Sequence, residues 1–131
     1  MSKKIILIAG PTASGKSKLA IVIAKKINGE IINADSMQVY KEFRILSSRP
    51  TIQDLKKAKH HLYGFLSSKK HFSTGAWLKL VKKQIKLCLQ NQKIPILVGG
   101  PGLYFDAVTK GMTKIPNINF KFRNKIRDLQ K

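Results

Sequence analysis

The chain has few acidic residues, a single cysteine and no long hydrophobic run. Only 6 of its 131 residues are Asp or Glu, against 26 Lys or Arg, which gives a formal net charge of +20. The single cysteine, Cys88, excludes an intramolecular disulfide and fits a reducing cytoplasm. No apolar run is long enough to cross a bilayer, so we expect no membrane-spanning segment.

The excess of positive charge predicts a polyanionic partner. Nucleic acid is the first candidate, and a membrane surface is the second. Most of the basic residues are lysines scattered along the chain, so a solvated lysine-rich surface is the alternative explanation. Hydrophobic residues make up 43% of the chain, which argues against disorder and suffices for one small domain with a core.

A glycine loop near the N-terminus predicts a phosphate site. Residues 10–17 have the sequence GPTASGKS, which fits the pattern G-x-x-x-x-G-K-[ST]. The apolar run at 4–9 predicts a buried strand before the loop, and 19–27 predicts a helix after it, closed by Gly29. This strand, loop and helix context favours the motif over a chance pair of glycines.

The predicted loop has the chemistry to bind a phosphate or a pyrophosphate. Its glycines allow the backbone to curl so that N–H groups point at one anion, beside the positive end of a helix dipole. The Lys16 ammonium can reach phosphate oxygens, and the Ser17 hydroxyl can bind phosphate or Mg²⁺. The pattern specifies neither ATP nor hydrolysis. The candidate residues are Gly10, Pro11, Thr12, Ala13, Ser14, Gly15, Lys16 and Ser17.

Asp35 follows a short predicted strand at 31–32. Because ligands of open α/β sheets bind at the carboxyl ends of the strands, we expect Asp35 to lie at the same edge as the glycine loop. A carboxylate near phosphate and Mg²⁺ is a candidate base or metal partner. A turn or helix-cap aspartate is the structural alternative, and position alone does not separate the two.

A further buried strand is predicted at 93–100, and it ends in Gly99 and Gly100 rather than in a carboxylate. The missing carboxylate argues against a simple ATPase. Three strands, or four with a short one at the histidines, are few for a doubly wound sheet. The last predicted helix would have nothing after it to pack on, so we expect the N-terminal part of a longer protein.

The helical segments are predicted from apolar spacing and capping residues. Trp77, Val81, Ile85 and Cys88 fall on one face of a helix at 77–89, which places Cys88 in a core rather than in a catalytic site. Neighbouring His60 and His61 would point to opposite sides of a strand, which predicts no zinc site. Other helices are predicted from Thr51 onward, at 103–108 and at 120–127.

Taken together, these motifs resemble those of the tRNA dimethylallyltransferases, also called tRNA isopentenyltransferases. The matching pieces are GPTASGKS at 10–17, DSMQVYK at 35–41, Arg49-Pro50, the histidine pair near 60, and VGG-x-GLY at 98–104. The resemblance implies an α/β fold, a P-loop NTPase-like parallel sheet flanked by helices. It also implies that residues 1–131 are a P-loop core domain, truncated relative to the family and matching its N-terminal half.

The resemblance implies a transferase rather than a hydrolase. The family moves a dimethylallyl group from dimethylallyl diphosphate to the exocyclic amine of the adenine 3′ of the anticodon in certain tRNAs. The implied cofactor is Mg²⁺, and the implied partners are tRNA and the diphosphate donor, for a monomer in the cytoplasm. By family correspondence, residues 12–17 bind the donor with Mg²⁺ on Ser17, and Asp35 takes the proton from the amine. The residues implied to contact tRNA are Asp35, Ser36, Met37, Gln38, Pro101 and Arg123.

Two stretches depart from the family pattern. Pro101 stands where the family usually has threonine, so this position has neither a hydroxyl nor an N–H. Ser47-Ser48-Arg49-Pro50, preceded by Leu46, stands where the family usually has Gly-Thr-Ala-Lys-Pro, so the glycine is absent and Arg49 replaces lysine. Two other functions are compatible with the residues: a small-molecule or nucleotide kinase using the same loop, and an RNA-binding protein that keeps the fold without catalysis.

Overall fold

A four-stranded parallel sheet organises the fold. The computed structural model describes residues 4–11, 14–42, 49–70, 72–100, 103–110 and 120–129. The elements are β1 (Ile6–Ala9), α1 (Lys16–Ile27), β2 (Gly29–Asn33), α2 (Ile52–Lys57), β3 (His60–His61), α3 (Thr74–Gln90), β4 (Ile94–Gly99), α4 (Leu103–Lys110) and α5 (Phe120–Leu129). The strand order is β1-β4-β2-β3, and every pair is parallel. The predicted parallel sheet flanked by helices is confirmed.

Helices cover both faces of this sheet, because successive residues of a strand point to opposite sides. On one face, Ile31 of β2 and Ile96 of β4 pack against α1. On the other face, Ile32 and Leu97 pack against α3 and α4. The two central strands are therefore buried on both sides, and their ends present the loops that build the site.

The helix α3 buries the face that its sequence predicted. Trp77, Val81 and Cys88 are almost fully buried in one cluster, and the partly buried Ile85 packs against it. The Ser73 hydroxyl caps the helix by accepting a hydrogen bond from the Ala76 N–H at 3.1 Å. The prediction that Cys88 belongs to the core is confirmed.

The end of α1 differs from the prediction, because Asn28 rather than Gly29 caps the helix. Asn28 adopts the left-handed conformation with φ of 57°, and its N–H donates to the Ala24 carbonyl. Gly29 is instead the first residue of β2, where a Cβ atom would collide with the Ile96 side chain. Gly29 therefore lies in the close contact between β2 and β4, whereas Asn28 supplies the helix cap.

Pro95 lies in β4, which is an interior strand of the sheet. The Ile94 N–H donates toward β2, to the Asn28 carbonyl at 3.3 Å, so the nitrogen of the next residue faces β1. The pairing of β4 with β1 begins only at Ile96. The missing N–H of Pro95 therefore removes no hydrogen bond of the sheet, which is why this position tolerates proline.

The remaining predicted helices are present, with slightly different limits. The helix expected from Thr51 is the short α2, and those expected at 103–108 and 120–127 are α4 and α5. Among the helices in the described part of the chain, none is both long and apolar enough to span a bilayer.

Thr51 and Asp54 form a reciprocal cap at the start of α2. The Thr51 hydroxyl oxygen accepts from the Asp54 N–H at 3.1 Å, and the Asp54 carboxylate accepts from the Thr51 N–H at 2.9 Å. The hydrogen bond from the Thr51 backbone, followed by that from its hydroxyl, lowers the pKa of the Asp54 carboxyl. This cap is therefore complete above the usual pKa of Asp54 and weakens as the pH falls through the lowered pKa.

We expect Thr51→Ala to lower the free energy of unfolding by about 1 kcal/mol at pH 7, because one orphan N–H of the helix loses its acceptor. Thr51→Ser, which keeps the hydroxyl, is the control and should remain near wild type. The loss should be smaller at an acid pH below the lowered pKa of Asp54, where the protonated carboxyl no longer accepts from the Thr51 hydroxyl. Urea unfolding at both pH values measures the difference, and equal effects of Ala and Ser would refute the role of the cap.

Candidate active site

The carboxyl ends of β1, β4 and β2 meet at one edge of the sheet. The Gly10 N–H, just after β1, donates to the Gly99 carbonyl at the end of β4, at 3.2 Å. The Ala34 N–H, just after β2, donates to the Val98 carbonyl at 2.8 Å. The glycine loop and Asp35 therefore lie at the same edge, as the sequence predicted.

Gly99 allows this convergence of strand ends. A Cβ atom at this position would collide with the backbone carbonyl of Ala34, whereas a Cβ on Gly100 would meet nothing within 4 Å. The backbone before Asp35 thus crosses directly over the end of β4. The close approach requires a residue without a side chain at position 99 and not at position 100.

The described part of the glycine loop is tied together by internal hydrogen bonds. The Ser14 N–H donates to the Pro11 carbonyl at 3.3 Å, and the Lys16 ammonium donates to the same carbonyl at 3.0 Å. Gly15 has φ of 84°, a conformation that glycine adopts without strain. The N–H groups of Gly10 and Ser14 both have partners within the protein, and binding of a phosphate by the loop stays a prediction.

The start of α1 supplies the remaining donors for an anion. The first turn of any helix has N–H groups without a carbonyl partner inside the helix, and the helix dipole is positive there. This turn contains no acidic residue, and it carries Lys16 and the exposed Ser17. The geometry favours an anion at the α1 end of the loop.

Asp35 forms a turn and still presents a carboxylate at the edge. Its Oδ1 accepts a hydrogen bond from the Met37 N–H at 2.9 Å. Asp35 is therefore a turn residue, which was the structural alternative from the sequence. Among the described residues, no hydrogen bond reaches Oδ2. One oxygen fixes the orientation of the carboxylate, and the other faces no donor of the described chain.

Asn33 positions Asp35, a role that the sequence analysis missed. The fully buried Asn33 side chain accepts from the Asp35 N–H at 2.8 Å and donates to the Asp35 carbonyl at 3.0 Å. The side-chain amide of Asn33 also donates to the Leu62 carbonyl at 3.0 Å. The backbone carbonyl of Asn33 accepts a hydrogen bond from the Trp77 indole N–H at 3.0 Å. A polar residue at the end of an apolar strand was the available signal.

We expect Asn33→Ala to lower the free energy of unfolding by about 2 kcal/mol, because it removes the partners of three buried backbone groups. The control is Asn91→Ala, since Asn91 is an exposed residue after α3. That control should stay within about 0.5 kcal/mol of wild type. Urea unfolding of both variants measures the difference, and equal stabilities would rule out the bracing role of Asn33.

The residues expected to contact a nucleotide differ in exposure. Ser36 and Met37 are exposed, whereas Gln38 is only 8% exposed, and its carbonyl accepts from the Gly64 N–H at 2.8 Å. Contact between these residues and a nucleotide stays a prediction. Thr12, Ala13 and Pro101 lie outside the described residues, and Arg123 is described only by its place in α5.

A groove of about 250 Å³ lies beyond β3. Its lining includes Arg49, whose guanidinium donates to the Tyr40 carbonyl at 3.2 Å. Burial lowers the pKa of His60 in this groove, and burial followed by the charge of Asp35 raises the pKa of Tyr63. Since both groups are thereby kept neutral, Arg49 gives this groove its positive charge. Its lining residues are Arg49, Pro50, Ile52, Leu55, His60, Leu62 and Tyr63.

Comparison with known proteins identifies the family. The model of the family described as IPP transferase matches residues 38–131, which is most of the chain. The chain belongs to the IPP transferase family. The match includes β3 and β4, whereas β1, the glycine loop, β2 and Asp35 lie before it.

Two curated relatives of this IPP transferase chain are named tRNA dimethylallyltransferase. That of Pelagibacter ubique (strain HTCC1062) is 61% identical over 128 residues, which is 98% of this chain and 41% of the relative. That of Methylocella silvestris is 48% identical over 122 residues, which is 93% of this chain and 40% of the relative. The chain thus spans about two fifths of the length of these relatives.

Solved structures show the same fold. The full-length tRNA isopentenylpyrophosphate transferase of Bacillus halodurans superposes with a TM-score of 0.83 at 32% identity, covering 98% of this chain and 43% of that one. A eukaryotic dimethylallyltransferase acting on tRNA gives a TM-score of 0.82 at 32% identity, covering 94% of this chain and 32% of that one. These names do not favour the kinase alternative.

Proposed function

We propose that this chain takes part in the transfer of a dimethylallyl group from dimethylallyl diphosphate to the exocyclic amine of the adenine 3′ of the anticodon in tRNA. The observation that carries the proposal is the convergence of a glycine loop and an aspartate at one sheet edge, across Gly99. The names of the relatives supply the reaction class. We also propose that the protein is a monomer and that it acts in a reducing cytoplasm.

In this proposal, the α1 end of the glycine loop binds the leaving diphosphate. The amine nitrogen bonds to the allylic carbon as the bond from that carbon to the diphosphate oxygen breaks, and the electron pair leaves with the diphosphate. Negative charge grows on the diphosphate during this step. The first-turn N–H groups of α1 and the Lys16 ammonium stabilise that charge most where it is greatest.

The Asp35 carboxylate accepts the proton of the attacking amine. An aromatic amine is a weak nucleophile, so removing its proton as the bond forms lowers the barrier. The hydrogen bond from the Met37 N–H to Oδ1 orients the group, and Asn33 fixes its backbone. We assign proton transfer to Oδ2, which has no hydrogen bond among the described residues.

Magnesium fits the donor set of the loop. A hard cation prefers oxygen ligands and is commonly bound by one or two protein oxygens together with substrate phosphates. The exposed hydroxyl of Ser17, in the first turn of α1, is the protein oxygen that we propose for it. When bound, Mg²⁺ would supply charge neutralisation to the leaving diphosphate.

The exposed surface of the flanking helices supports a polyanionic substrate such as tRNA. Lysines lie exposed along both α1 and α3, and phosphate neutralisation by such residues produces affinity that falls steeply with salt. An adenine held in a single-stranded loop can be unstacked at modest cost, which makes an anticodon loop accessible. The exposed lysines are Lys18, Lys25, Lys26, Lys79, Lys82, Lys83 and Lys86.

The test is prenyl transfer measured by mass spectrometry of the RNA. The chain is incubated with dimethylallyl diphosphate, Mg²⁺ and an adenine-containing anticodon stem-loop. In parallel, a chimaera is tested in which this chain replaces the matching part of the Pelagibacter ubique relative. A gain of one dimethylallyl group with either protein supports the proposal. A folded chimaera without transfer, beside an active intact relative, overturns it.

A further inference from the structure

A second cluster of reactive side chains lies far from the glycine loop. Glu30 of β2, His61 of β3 and Cys88 of α3 place one donor atom each within 4.8 Å of one another. Glu30 is near the start of β2 and Asp35 follows its end, at most about 16.5 Å away at about 3.3 Å per residue. Glu30 and Cys88 therefore lie toward the amino ends of the strands, and His61, which is level with Ile32 in the sheet, reaches Glu30 from β3.

The structure brings these three residues together from separate elements. Glu30 and Ile32 point to the same face of β2, the face covered by α3, where Cys88 lies two residues before the helix ends. The sequence prediction considered only the two neighbouring histidines and so found no metal ligand set. It missed this group because His61 meets residues 31 positions before it and 27 positions after it.

The distances within the cluster are those of a hydrogen-bonded triad. His61 Nε2 lies 2.6 Å from Glu30 Oε2, and Cys88 Sγ donates to the same oxygen at 3.6 Å. The side chains of His61 and Glu30 are 15% and 11% exposed, and Cys88 is 1% exposed. The triad is thus enclosed on the side of α3 and reachable from solvent past the imidazole.

We propose that Glu30, His61 and Cys88 form a binding site for a borderline-soft divalent cation of the zinc type. Imidazole nitrogen, thiolate sulfur and carboxylate oxygen are the ligands that Zn²⁺ takes, at about 2.0 to 2.3 Å. Around a tetrahedral ion such atoms stand about 3.5 Å apart, so the spacing of Glu30 Oε2 and Cys88 Sγ already fits. The spacing of His61 and Glu30 must open from 2.6 Å by about 0.9 Å as the ion replaces their shared proton.

The charges of the site also suit a divalent cation. One thiolate and one carboxylate balance the two positive charges of the ion, and the neutral imidazole completes three protein ligands. Burial, followed by the charge of Glu30, raises the pKa of the Cys88 thiol, so the group is a thiol until an ion displaces its proton. Lys59, whose ammonium lies 4.0 Å from the other Glu30 oxygen, is exposed and can swing into solvent.

A bound ion is expected to hold β3, the outermost strand of the sheet, against β2 and α3. β3 has only two residues, and its described strand pairing is with β2 alone. An ion shared by β2, β3 and α3 would fix this strand without altering the glycine loop. The inference is independent of the proposed prenyl transfer, because neither test depends on the other.

Cobalt(II) titration of the intact chain tests the site directly. Cys88 is the only cysteine, so a near-ultraviolet thiolate-to-cobalt charge-transfer band can arise only from this residue. We expect that band in the wild type and in His60→Asn, the matched neighbour. We expect no band in Cys88→Ser, and apparent affinity at least about tenfold weaker in His61→Asn and Glu30→Gln.

Thermal unfolding with Zn²⁺ and with a chelator provides the second measurement. The wild type and His60→Asn should unfold at higher temperature with Zn²⁺, and Cys88→Ser should not respond, since only an ion that binds the folded state stabilises it. A folded wild type without the charge-transfer band would overturn the site. Cobalt affinity unchanged in both His61→Asn and Glu30→Gln would also overturn it, because the ion would then bind Cys88 alone.

Discussion

Replacing Asp35 with asparagine is expected to lower prenyl transfer by about 10²- to 10⁴-fold, the usual contribution of a positioned base. Asparagine has the same shape, and its side-chain oxygen can still accept from the Met37 N–H, so the turn should survive. The amide cannot take the proton of the amine. The measurement is the transfer rate in the chimaera with the Pelagibacter ubique relative, followed by mass spectrometry of the RNA.

The control for this variant is Asp106→Asn, an exposed carboxylate on α4. It should transfer at the wild-type rate. Donor binding provides the second readout, because the diphosphate binds at the glycine loop and not at the carboxylate. We expect dimethylallyl diphosphate to raise the unfolding temperature of Asp35→Asn as much as that of the wild type. Unaltered turnover in Asp35→Asn would remove Asp35 as the base.

Gly99→Ala is expected to destabilise the fold by about 3 kcal/mol, at the upper end of the cost of overpacking. The added Cβ collides with the backbone of Ala34, which cannot rotate away as a flexible side chain could. A loss of this size corresponds to a melting temperature roughly 10 °C lower for a chain of this length. Because the Ala34 backbone leads into Asp35, transfer by the chimaera should fall as well.

Gly100→Ala is the matched control, since its Cβ would meet nothing within 4 Å. We expect it to stay within about 0.5 kcal/mol of wild type or to be slightly more stable, because alanine restricts the unfolded chain. Thermal and urea unfolding of both alanine variants measure the contrast. Equal stabilities would mean that the Ala34 backbone can shift to accommodate a methyl group at position 99. The crossing of this backbone over β4 would then not define the site.

Local sequence patterns determined most of the helices and strands, and they placed the glycine loop and Asp35 at the same end of the sheet. The apolar runs and caps placed the strands and helices, because burial of a central parallel strand and the satisfaction of helix ends are local requirements. The expectation that β1 is buried is wrong, since this outer strand alternates half-buried and exposed residues. The glycine loop and Asp35 could be placed at one edge, since parallel strands end on the same side. Local sequence narrowed each helix cap to two neighbouring residues, and the structure shows that Thr51 and Ser73 are the caps.

Only the tertiary structure decided how distant residues meet. Asn33 binds Asp35 and reaches Leu62, and Gly99 makes room for Ala34, contacts that depend on strand order and register rather than on spacing. The structure likewise showed that Asn28 caps α1 and that Gly29 is the first residue of β2. The meeting of Glu30, His61 and Cys88 has the same origin. Periodicity fixes which side of an element is apolar, whereas pairing between elements fixes which polar groups become neighbours.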